Sequence, residues 1–146
     1  MHIPVQLHPF PSATLIIVTN NEQAKMYRAA DREIELIRHI STKADKLEKD
    51  RNAVKRGDGS MGSAEQEDDR KEWSREHLYE SLNKDLMRRW QNKEFETLVF
   101  TVPHEHLEEL KESLHIDLLK RTQVFVPKNL MGEELIDLIG HVQEAA

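Results

Sequence analysis

The stretch Thr14-Leu-Ile-Ile-Val-Thr-Asn-Asn-Glu-Gln-Ala-Lys-Met-Tyr-Arg-Ala-Ala-Asp-Arg-Glu-Ile-Glu-Leu-Ile-Arg-His-Ile40 decides the fold. It opens with four consecutive apolar residues, Leu15 to Val18, the pattern of a strand covered on both faces in the middle of a sheet. Asn20 and Asn21 tolerate positive φ and predict a tight turn. In the next segment Ala24 and Met26 alternate with Lys25, which predicts a second, more exposed strand. After Asp31 the segment EIELIRHI repeats the alternation and places Ile34, Leu36 and Ile40 on one face. Three strands joined by short turns form an antiparallel meander.

Outward from the meander, residues 1–12 read as an extended, loosely held lead-in, because Pro4, Pro9 and Pro11 oppose helix. Downstream, Leu78, Leu82, Leu86 and Trp90 recur at i+4 and predict a helix over 68–93. Glu67, Asp68 and Asp69 suit its positive amino end, and Arg88 and Arg89 its carboxyl end. ETLVFTVP is a buried-type strand stopped by Pro103; HEHLEELKESL follows as one helix through Leu107, Leu110 and Leu114; TQVFVP is a last strand. A closing helix runs through Leu135, Ile136, Ile139 and Val142. The order is β-β-β-α-β-α-β-α. With right-handed crossovers it gives an α/β, ribonuclease H-like fold: a five-stranded mixed sheet with helices on both faces. The expected organisation is the lead-in followed by a single domain over 13–146, with a long loop at 41–67.

Composition narrows the function. The net charge of −6 sets a field that repels nucleic acid and anionic membranes, so any RNA contact must be local, and no DNA partner is expected. With no cysteine, disulfides, thiolate nucleophiles and cysteine metal sites are absent from the chain. The start lacks a basic n-region and no apolar run approaches a membrane span, so a cytoplasmic protein that does not engage membranes is expected.

The ribonuclease H topology is used by metal nucleases, which hold divalent cations with carboxylates on the first strand, first helix and fourth strand. Here the first strand reaches Glu22 before any acid appears, and the fourth ends in Pro103 and His104. His104 and His106 flank Glu105, with His77 or Asp117 as a distant completion, and two helix-start histidines are the simpler reading. Ser60, Ser63, Ser74 and Ser81 do not lie in a G-x-S-x-G elbow, and GDGSMG lacks the lysine and spacing of a P-loop. No catalytic residue, metal or cofactor is therefore assigned.

The 41–67 loop carries the remaining signal. Residues 43–56 hold six basic side chains against three acidic ones, whereas 58–72 hold two against six. These charges suit either a solvated linker or a contact for phosphates or an acidic partner. The candidate contact residues are Arg51, Lys55, Arg56, Gly57 and Gly59.

The runs TLIIVTNNEQAKMYRA, TLVFTVPHEHLEELKESL and QVFVPKNLMGEELIDLI together resemble the bacterial host attachment protein family, over about residues 14–143. That family is similar to the middle domain of archaeal and eukaryotic peptide-chain release factors. There, the connection between the third strand and the long helix carries a Gly-Gly-Gln loop. This chain has Gly57-Asp58-Gly59 and Met61-Gly62-Ser63 at that place, with Gln66 beyond, so the resemblance transfers peptide release to no residue. It implies a non-enzymatic binding protein with an unidentified protein partner. The alternative it implies is a translation factor associated with ribosome or tRNA.

Overall fold

The computed structural model describes residues 1–42, the backbone of 63–68, and residues 69–146. The elements are β1 (Phe10–Thr19), β2 (Gln23–Asp31), β3 (Glu33–Ser41), α1 (Ser63–Gln91), β4 (Thr97–Thr101), a 3-10 turn (His104–His106), α2 (Leu107–Ser113), α3 (Ile116–Arg121), β5 (Thr122–Val126) and α4 (Leu135–Ala145). One five-stranded sheet has the order β3-β2-β1-β4-β5. β1 pairs antiparallel with β2 and parallel with β4, and β4 pairs parallel with β5. This is the mixed ribonuclease H-like sheet expected from the strand order.

The central position of β1 explains its unbroken apolar run. Leu15 and Ile17 pack under α1, α2 and α3, with Leu78, Leu82, Leu86, Leu110 and Leu118. Ile16 and Val18 point to the other face, where Leu138, Ile139 and Val142 of α4 cover them. Each face thus has its own core, and β1 contributes to both.

Four local features depart from the sequence expectation. β1 begins at Phe10 rather than Thr14, and its register with β2 shifts between Phe10 and Thr14, where Pro11 has no N–H to give to a ladder. The lead-in is held rather than loose: Ile3 is fully buried, its N–H donates to Arg32 O at 2.6 Å, and Ile34 N–H donates to Met1 O at 3.0 Å. Arg32 Nη1 also donates to the carbonyls of Pro4 and Leu7.

The third departure is in β3. Its register against β2 slips between Met26 and Tyr27, which oppose Arg38 and Leu36, so Ile37 is an extra residue. The bulge reverses the alternation. Ile34 packs on the α4 side, Ile40 packs on the α1 side, and Leu36 is left 51% exposed. The fourth is the helix predicted over HEHLEELKESL, which is a 3-10 turn followed by α2, with a further short helix, α3, after it. Leu114 is extended, and Asn83 of α1 holds the break by donating to Ser113 O and accepting from His115 N–H, at 2.9 and 2.8 Å. His115 then caps α3 by accepting from Asp117 N–H.

Candidate functional site

In sheets with parallel strands, ligands meet the chain beyond the carboxyl ends of those strands, where loops rather than side-chain layers form the surface. Here that rim lies beyond Thr19, Thr101 and Val126. The β1–β2 turn is shaped by Asn20, whose Oδ1 accepts from the N–H groups of Glu22 and Gln23 at 3.0 and 2.7 Å. β3 finishes at the same rim, since Thr42 N–H donates to Glu22 O at 2.9 Å. The connection toward α1 therefore leaves the sheet beside Asn21.

α1 supplies the centre of the rim. Its apolar stripe Leu78, Leu82, Leu86 extends one step upward into Ser74, which is fully buried, and the neighbouring Arg75 turns toward α2. Arg75 Nε donates to Glu109 Oε1 at 2.8 Å and its Nη1 to Asn21 Oδ1 at 3.3 Å. A shallow cavity of about 360 Å³ lies over this pair, lined by Asn21, Lys71, Glu72, Arg75, Glu105 and His106. Burial and the Arg75 guanidinium push the His106 imidazole below its usual pKa, against the opposing pull of Glu109 and Glu105. Cations and anions alternate around the cavity, an arrangement that suits docking of polar groups better than one-sided charge stabilisation.

The sequence candidates separate in the structure. Arg51, Lys55, Arg56, Gly57 and Gly59 lie outside the described residues. His106 belongs to the rim, while His104 is exposed. His77 does not join them: its Nδ1 lies 2.9 Å from Trp73 O and its ring stacks on the Trp73 indole, centroids 4.0 Å apart. Trp73 is half-buried against it. Asp117 sits at the start of α3, engaged with His115. Among the described residues, no group of three His, Asp or Glu side chains is placed to hold a metal ion. Ser74 faces the core, and among the described residues its hydroxyl has no hydrogen-bond partner, so it is not presented as a nucleophile. Among the described residues no helix is long and apolar enough to cross a membrane.

Sequence reasoning missed Asn21, Arg75 and Glu109 as a unit. The available signal was Ser74, a small polar residue continuing a leucine stripe, which marks where the helix passes from core to rim.

No curated protein matches the chain. Among solved structures, an archaeal translation termination factor, aRF1, is similar with a TM-score of 0.52 and 12% identity, covering 90% of this chain and 37% of that one. Dom34 of S. cerevisiae, a translation termination-like factor involved in RNA quality control that interacts with Hbs1, has a TM-score of 0.44 and 9% identity, covering 91% and 36%. The chain thus spans just over a third of the length of these proteins. The likeness to aRF1 is one of fold. Nothing in these comparisons supports the host attachment family that the sequence runs resemble; the family pattern that matches, over residues 13–142, is a different one. By that match, the chain belongs to bacterial archaeo-eukaryotic release factor family 12.

Proposed function

We propose that this domain is a translation-associated protein that binds the ribosome or tRNA and acts by binding, without peptide-release chemistry and without a cofactor. The observation that carries the reading is membership of a release-factor family over residues 13–142. The absence of Gly-Gly-Gln supports the non-hydrolytic part: Gly57, Gly59 and Gly62 are separated from one another, and Gln66 falls within α1.

RNA contact in so acidic a chain needs a local cationic patch. Residues 43–56, with six basic side chains against three acidic ones, are a stretch that supplies it in sequence. Arg51, Lys55 and Arg56 are the proposed phosphate contacts, and Gly57 and Gly59 the positions that allow close backbone approach. The rim around Arg75 is the polar surface from which this segment departs. Such a protein works in the cytoplasm, where its partner is.

The test is equilibrium binding of the purified protein to ribosomes and to tRNA across a salt series. Association that weakens steeply with salt is the expected result, since each displaced phosphate counterion adds about 0.7–0.9 to the log–log slope. Absence of association at low salt with both partners would remove the reading.

A further inference from the structure

The largest concavity among the described cavities is not at the rim. It is a groove of about 750 Å³ between α1 and α2. Glu72, Glu76 and Glu80 line it at i, i+4 and i+8 of α1, which spaces three exposed carboxylates about 6 Å apart along one wall. Of these, Glu80 pairs with Lys84 at 3.3 Å, an exposed pair with little hold. Among the described residues no cation is paired with Glu72 or Glu76.

The floor is of a different character. Leu114 and Tyr79 are 6% and 3% exposed, and Met87 is half-buried beside them. Tyr79 lines the groove, and among the described residues its hydroxyl has no hydrogen-bond partner. Burial and the nearby Glu109 charge raise its pKa above the usual phenol value, so it stays a neutral hydrogen-bond donor. The ring is buried while the hydroxyl opens on the groove, where it can donate and accept a hydrogen bond at the edge of an apolar slot.

We propose that this groove is the docking site for a cationic amphipathic helix of a partner protein. Lysine or arginine at every fourth position of such a helix meets Glu72, Glu76 and Glu80 in register, and its apolar stripe covers Met87, Leu114 and the Tyr79 ring. The Tyr79 hydroxyl takes a polar group from the helix. Charge selects the occupant, because a wall of carboxylates repels nucleic acid and favours a basic peptide. The proposal stands whether or not the domain acts at the ribosome.

The experiment is a titration of the full chain with a helical peptide of about four turns, carrying lysine at every fourth position beside a leucine stripe. NMR shifts report the site, and fluorescence anisotropy reports the affinity. Shifts concentrated at Tyr79, Met87, Leu114 and His115 are expected. The variant Glu72→Gln/Glu76→Gln/Glu80→Gln, which preserves helix propensity, should weaken binding by about tenfold. Tyr79→Phe, which keeps the ring, should weaken it by about threefold to tenfold. Equal binding by a peptide with glutamate in place of lysine, unchanged affinity in the triple variant, or shifts elsewhere would overturn the proposal. So would competition for the same residues by an RNA oligonucleotide, or self-association that fills the groove.

Discussion

Two charge clusters lie along α1, and they have opposite designs. In its carboxyl half, Asp85 is 3% exposed at the side chain and accepts from Arg38 at 2.7 Å, Arg88 at 2.6 Å and Arg89 at 2.8 Å. Burial alone would raise its pKa, but the hydrogen bonds from Arg89 and Arg88 outweigh burial and hold the carboxyl below its usual value. In the amino half the base is the less exposed partner: the Arg75 side chain is 12% exposed and that of Glu109 40%, with Asn21 half-buried beside them. A buried acid surrounded by three guanidiniums has no capacity left for a ligand. It fixes β3 to α1. A half-buried base with partly exposed partners can exchange them, which is why the rim and not the Asp85 cluster is the candidate site.

The sharpest way to break the contrast is Asp85→Ala. It leaves Arg89, 14% exposed, with Glu94 as its remaining acidic partner, and should cost about 3 kcal/mol in urea unfolding. The same pair gives a pH prediction. A carboxyl whose folded pKa is depressed contributes stability in full above its unfolded value of 3.8, and that contribution is lost as pH falls through the lower folded value. Asp85→Asn should therefore flatten the fall in stability below about pH 4, measured by unfolding midpoints across pH.

Arg75→Ala should cost less, about 1–2 kcal/mol, because Glu109 is 40% exposed and can return to water. Its distinguishing effect is on His106. Arg75 helps to hold that imidazole below 6.5, so the substitution should move its NMR titration upward. The wild-type sign is that stability attributable to His106 is full above 6.5 and declines as pH drops below it, because the unfolded chain binds the proton first. A titration unchanged by Arg75→Ala would mean that burial alone sets the shift. Arg38→Ala should be smallest, below about 1 kcal/mol, since Arg38 is 44% exposed. A loss as large as that of Asp85→Ala would show that the β3 tether, rather than charge saturation, is what matters there.

These clusters also mark where sequence reading succeeded and failed. The sheet order was legible because Leu15 to Val18, the Asn20-Asn21 turn and the leucine stripe of α1 are local patterns. The Asp85 cluster was not, because it needs Arg38 on the α1 side of the sheet, and strict alternation puts Arg38 with Ile34 and Leu36. Only the bulge at Ile37, a pairing property of two strands, sends Arg38 across to Asp85. The break at Leu114 was hidden for a similar reason, since it depends on the Asn83 amide thirty positions earlier. The Glu72, Glu76, Glu80 series is visible in sequence, but nothing local says that an apolar floor with Tyr79 lies beside it. For the loop residues Arg51, Lys55, Arg56, Gly57 and Gly59, charge pattern remains the argument.

We propose that this release-factor family member associates with the translation machinery through its basic segment, while its acidic groove serves a different partner. Ribosome co-sedimentation of three proteins across a salt series separates the two surfaces: the wild type, Arg51→Ala/Lys55→Ala/Arg56→Ala, and Glu76→Gln/Glu80→Gln, which spares the rim residue Glu72. The account predicts salt-sensitive association of the wild type, a marked loss with a slope flatter by about 2 in the first variant, and unchanged association in the second. Association unaffected by the loss of the three cations, or abolished by neutralising Glu76 and Glu80, would contradict it.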